Sequence, residues 1–421
     1  MVIFTYRRKL LPNKLRSAKT KIEVLINILN SGYWLLLSLI GGFFSFFALN
    51  RGGVVVFIEA GVCFVLLNLI TGQYKVKQIP LRYWITLAIC GYLILFGFLF
   101  ASHHVKTQYF EYLIRMLGVV FTIHCLSLKK IDSLVYKLPP VVWCLSVCWQ
   151  FTAVHIFKMP FGTYNNPHYL AYFLISILPL LVYSFWVVNG RYKLIFILIS
   201  VLAVDMLLRT GSRPAFVGLT VAVFFVLVFL TQNRTKWFGL LLIGVAFGII
   251  YYTNYGGAND RIKDLAVNLL NEERVHLWKS ASQMLRNNSP IDWIFGNGLG
   301  GYRKVYANYV VPEFRPFFFP HIHPLEILYD NGIIGLSLVF GGLMTLFILI
   351  VKTLRSKIGK NISTLLECML VIFLCWMIHS SLTFPFYSKY VQYPLGFILG
   401  TLLVMIKGKS GQSRQIKNKH I

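Results

Sequence analysis

The sequence predicts an all-α polytopic membrane protein, and three observations carry that prediction. The 421-residue chain is 57% apolar and only 13% charged, with mean hydropathy +0.66, where a soluble domain is roughly 45–50% apolar and about 25% charged. The apolar residues gather into twelve runs, each near the length that crosses about 30 Å of hydrocarbon. The charge is lopsided, with 41 Lys and Arg against 14 Asp and Glu, and the basic residues cluster in alternate connections, as the positive-inside rule requires. Disorder and a coiled coil are excluded by the same composition.

In order, the runs cover 33–49, 54–70, 83–101, 109–128, 138–157, 169–188, 194–208, 216–230, 237–252, 325–351, 364–383 and 391–406. Orientation follows from the flanks. The stretch before the first run carries Arg7, Arg8, Lys9, Lys14, Arg16, Lys19 and Lys21, which puts the N-terminus in the cytoplasm. No A-x-A-like site follows the first run, so this segment reads as an uncleaved anchor. Alternation makes cytoplasmic the connections holding Lys75/Lys77/Arg82, Lys129/Lys130/Lys137, Arg191/Lys193, Arg234/Lys236 and Lys352/Arg355/Lys357/Lys360, together with the basic tail. Among these stretches the acids are Glu23 and Asp132. The net charge of +27 is therefore topological, and nucleic acid is not an expected partner. The seven cysteines lie within apolar runs without a CxxC pair, which argues against a disulfide framework and a zinc site.

One connection breaks the pattern. Residues 253–324, between the ninth and tenth runs, form an outer loop of roughly 70 residues, where most connections are far shorter. It holds eight basic and six acidic residues, and its 271–287 portion has helical spacing, with Val275, Leu277, Trp278 and Met284 in an uneven apolar stripe. The chain thus reads as a single integral membrane domain, 1–421, with this loop inserted, and the loop places any chemistry on the outer face.

Three places carry charge where a membrane protein ordinarily avoids it. The first is Thr210-Gly211-Ser212-Arg213-Pro214, on the outer side between the seventh and eighth runs. An interfacial arginine snorkels to lipid headgroups, or its planar fork clamps a phosphate. The second is Arg274 in the loop helix, with Trp278 four residues on along the same face; pairing with Glu272 or Glu273 is the plain alternative. The third is Pro320-His321-Ile322-His323-Pro324, entering the tenth run. Two histidines alone, without further ligands at metal spacing, argue against a metal. A histidine at the outer mouth suits a proton acceptor, because imidazole titrates near neutrality. Glu326 and Asp330 follow, and carboxylates there are usually paired or functional. The Gly296-Asn297-Gly298-Leu299-Gly300-Gly301 segment has the look of a phosphate loop but lacks a preceding strand and the P-loop lysine, which favours a tight turn. The polar turn from Gly162 to His168, containing Asn166, lies before the sixth run on the same outer side.

In chain order, GTYNNPHYLAYF, RTGSRPAFVGL, ERVHLWKSASQML, GNGLGGY, PHIHPLEILYDNGIIGL and HSSLTFPFY resemble the motifs of the bacterial O-antigen ligase/polymerase superfamily of inner-membrane glycosyltransferases. The resemblance spans roughly residues 160–390. The family pattern sets its histidine eleven residues before Gly-x-x-Gly, which selects His321 from Gly332 and Gly335. Ile322 replaces the usual polar follower, and a shifted alignment selects His323. The family arginines fall on Arg213 and Arg274.

The resemblance implies a metal-independent, cofactor-free, inverting transfer on the periplasmic face of the inner membrane, both termini being cytoplasmic. The donor is a glycan on undecaprenyl diphosphate and the acceptor a hydroxyl of a lipid A core sugar. His321 serves as base and Arg213 and Arg274 as diphosphate ligands, supported by His323, Ser212, Trp278 and Asn166. Two other acceptors stay open: a second lipid-linked repeat, making the protein a polymerase, and a protein Ser or Thr. Outside the superfamily, a transporter or lipid flippase would show inverted repeats and midplane charges; here the suspicious residues gather at the outer face.

Overall fold

The computed structural model describes residues 81–100, 113–114, 116–120, 132–164, 166–188, 190–229, 273–310, 321–356, 360–384, 386–388, 391–392, 394–403 and 405. The predicted spans at 33–49, 54–70 and 237–252, and the loop stretches 253–272 and 311–320, lie outside them. Among the described residues the regular elements are all helical. They are α1 Leu81–Phe100, α2 Asp132–His155, α3 Pro167–Val187, α4 Tyr192–Thr210 and α5 Arg213–Phe229, then α6 Glu273–Arg286, α7 Pro290–Phe295 and α8 Gly301–Val305 of the long loop. The chain continues through α9 His323–Leu354, α10 Lys360–Ser381 and the apolar helix α11 Pro394–Leu403. Three of these, α3, α9 and the Ile362–Ser381 part of α10, are long and apolar enough to cross a membrane. The protein is an integral membrane protein.

Local chemistry sets the boundaries. Asn166, in extended conformation, caps α3 by accepting the His168 amide at 2.8 Å, and Pro167 begins the helix where its missing N–H costs nothing. Gly211 ends α4 in the left-handed conformation (φ 58°), which reverses the chain into α5 two residues later. Pro324 starts α9.

α3 lies at the centre of the bundle. Phe173, Leu174 and Ile175 are consecutive and wholly buried, so the helix is enclosed on all sides there and has no polar face, while Val182 and Trp186 near its end are exposed. It packs on α4 and α10, and α5 packs on α10. The outward side of α4 is different: Leu194, Leu198 and Val201 are 59–64% exposed. Such a row of bare aliphatic side chains is stable in lipid and not in water.

Candidate active site

α3, α5 and α9 begin, and α4 and α10 end, at the same end of the bundle, and the motif residues meet there. Ser212, between α4 and α5, is fully buried. Its hydroxyl lies 3.0 Å from His168 Nδ1 in the first turn of α3 and 3.2 Å from His379 Nε2 in the last turn of α10. Tyr172 covers His379 with ring centroids 5.6 Å apart. Phe384, just past α10, stacks on Tyr169 at 4.7 Å and stands edge-on to His379 at 5.6 Å.

The start of α9 attaches to the same segment. His323 is 3% exposed, donates to the Phe384 carbonyl and stands edge-on to Phe386 at 5.6 Å. Glu326 accepts the Phe386 amide at 2.6 Å. His321, two residues earlier, is only half-buried and adopts φ 52°, a left-handed conformation uncommon for a residue with a side chain. The two histidines therefore occupy different environments: His323 is buried against Phe386, and His321 is half-buried.

The glycine-rich segment is a turn that locks onto α9. The Asp330 carboxylate, 1% exposed, accepts the Gly300 amide at 2.8 Å and the Tyr302 amide at 2.7 Å. The Asn297 and Gly298 amides bond the Tyr329 and Asp330 carbonyls, each at 2.9 Å. The amides that a phosphate loop would offer are thus taken by the protein's own carboxylate and main chain. Asp330, flagged by sequence as a carboxylate needing a partner, finds it in those amides. At the contact α9 itself breaks at Gly332 (φ 63°, ψ −172°). Asn331, beside the break, donates to the Tyr387 hydroxyl. Tyr302 packs on Tyr306 and Tyr329 in a small core with Leu277, Ala281, Met284 and Leu285 of α6. Burial first, then the neighbouring Tyr306, Glu326 and Asp330, pushes the Tyr302 phenol up, so the core stays uncharged.

The predicted site residues are distributed as follows. Arg213 is the first residue of α5, partly exposed and adjacent to Ser212. Arg274 is in the first turn of α6, a helix that packs on α9; its side chain lies outside the described residues. The α6 stripe buries Leu277 and Met284 as expected and adds Ala281 and Leu285, while Trp278 is half-buried at the edge. The Asn166 side-chain oxygen is engaged as the α3 cap. His168 and His379 were not singled out by sequence reasoning, although both lie in quoted motifs. A histidine at the end of an apolar run, on the same side as the others, was the available signal.

Residues 198–340 match the family model described as O-antigen ligase. No curated protein matches the chain. The matched stretch contains Ser212, Arg213, Arg274, the glycine turn, His321, His323 and the Gly332 break. Over residues 198–340 the chain is therefore similar to the O-antigen ligase family.

Proposed function

We propose that this protein is an O-antigen ligase-like enzyme that moves a glycan from undecaprenyl diphosphate to a hydroxyl of a lipid A core sugar, on the periplasmic face of the bacterial inner membrane. One observation carries the reading: the O-antigen ligase match contains Ser212, Arg213, His323 and Glu326, which sit together with flanking residues at one end of the bundle. In this reaction the acceptor oxygen attacks the anomeric carbon opposite the diphosphate. The glycosidic C–O bond to the diphosphate breaks, and the configuration inverts. Arg213 and Arg274 stabilise the charge on the departing diphosphate. His321 takes the acceptor proton, and its half-buried position just before α9 suits contact with an incoming hydroxyl. The enclosed His323 suits a packing role. The energy of transfer comes from the diphosphate bond itself, so nucleotide is not required.

The test is purified protein in detergent with lipid-linked glycan as donor and three acceptors offered separately: lipid A–core, a second lipid-linked repeat, and a Ser/Thr peptide. The expected product is glycan on the core sugar. Product on the lipid-linked repeat alone makes the enzyme a polymerase, and product on the peptide alone makes it a protein glycosyltransferase; either overturns the ligase reading. Absence of product on all three, with transport of the lipid-linked glycan in vesicles, overturns the enzyme.

A further inference from the structure

We infer that His168, Ser212 and His379 form a hydrogen-bonded latch that orients Arg213, and that the two histidines are positioning residues for the diphosphate clamp; the inference rests on the role proposed above for Arg213. It begins with an oddity. A serine before the first turn of a helix usually turns its hydroxyl back onto that helix as an N-cap. Ser212 instead reaches sideways, to imidazoles on two other helices at 3.0 and 3.2 Å. A hydroxyl has one proton and two lone pairs. With that proton directed to one neutral ring, that ring's nitrogen accepts and the other ring's nitrogen donates. Because the contacts are through Nδ1 of His168 and Nε2 of His379, both rings then carry the same tautomer, both Nε2–H or both Nδ1–H, coupled through one oxygen.

The rest of Ser212 is held as firmly. Its amide donates to Thr210 Oγ1 at 3.3 Å, and its carbonyl accepts the Ala215 and Phe216 amides at 3.0 and 3.3 Å. Every polar atom of the residue is engaged, to partners on α3, α4, α5 and α10. Gly211 before it is left-handed, and Pro214 after Arg213 is buried in the first turn of α5. The backbone from which the guanidinium departs is fixed from both sides.

Burying Ser212 and His379, with His168 half-buried beside them, where apolar side chains would pack is costly, and such a network is retained where it specifies one geometry. The group next to it that requires a geometry is Arg213, because a planar fork binds two oxygens only in register. The two histidines come from outside residues 198–340, the stretch carrying the family match. The latch therefore ties that stretch to the helices flanking it.

The test is a double-mutant cycle read by binding of undecaprenyl diphosphate to the full-length protein in nanodiscs, which works for inactive variants. Ser212→Ala should weaken binding about tenfold in the wild-type background and by less than about twofold in the Arg213→Ala background, the signature of residues acting together. Asn places an amide near the Nδ1 position and Gln near Nε2, so His168→Asn and His379→Gln should bind within about threefold of wild type, while His168→Leu and His379→Leu behave as Ser212→Ala. The histidine pairs keep the test decisive if Ser212→Ala fails to insert. Equal losses for Ser212→Ala in both backgrounds, or equal behaviour of the polar and leucine variants, overturn the latch. Wild-type binding by Arg213→Ala overturns the clamp itself, a distinct result that also removes the purpose assigned to the latch.

Discussion

Replacing Gly332 by alanine should release the glycine turn from α9 while leaving the membrane helices in place. Gly332 has φ 63° and ψ −172°, a region that is essentially glycine-only and costs about 1–3 kcal/mol for a residue with a side chain. A Cβ there would press on the Ile294 carbonyl and lie 2.6 Å from the Phe295 amide nitrogen. Both are main-chain atoms of α7 and cannot rotate away, so overpacking adds about 1–3 kcal/mol more. The sum, about 2–6 kcal/mol, is a large part of the roughly 5–15 kcal/mol that holds a typical domain together. The least costly relief is for α7 and the turn after it to leave α9, which breaks the Asp330 bonds to Gly300 and Tyr302. Tyr302, 1% exposed, then becomes open to cleavage. The assay is limited chymotrypsin digestion of the detergent-solubilised protein, with cutting after Tyr302 scored against thermal unfolding. Gly341→Ala in the same helix is the control, because a Cβ there meets nothing within 4 Å, and alanine should be neutral or favourable by about 0.5–1 kcal/mol. If Gly332→Ala keeps wild-type protease resistance and melting temperature, the interlock described here is wrong.

Asp330→Ala leaves two buried amides without their carboxylate, at about 1–3 kcal/mol each; Asp330→Asn keeps one acceptor oxygen, so the melting temperature should fall in the order wild type, Asn, Ala. Arg213→Ala should abolish transfer, with Arg213→Lys recovering little, because a point charge does not replace a bidentate fork. Arg274→Ala should show the same effect more weakly, and near-normal transfer by both inserted alanine variants would refute the clamp. His321→Ala should slow turnover about 10²–10⁴-fold with donor binding retained, measured on lipid-linked donor across a pH series. His323→Ala should instead lower stability by about 1–3 kcal/mol through the lost Phe384 bond and the gap beside Phe386. Reversal of these two behaviours would move the base to His323.

The sequence by itself determined the helical class, the positions of several apolar helices among the described residues and the grouping of Ser212, Arg213 and the His321–His323 segment at one end. Runs such as 169–188 and 325–351 correspond to α3 and α9 with ends displaced by only a few residues. Hydropathy is a local sum over some twenty neighbours, and helix ends are set by caps within a residue or two, as at Asn166 and Gly211. The turn role of the glycine segment was also legible, because a missing lysine and strand are local facts. Which helices meet, and with which faces, was not. Ser212 finds its partners 44 residues before it and 167 after it, and Asp330 finds its amides about thirty residues back. Enclosed helices such as α3 are apolar on every side, so their sequence carries no stripe to announce a rotation. Only close packing selects which of their few polar groups face one another, and that selection built the His168–Ser212–His379 cluster and separated the buried His323 from the half-buried His321.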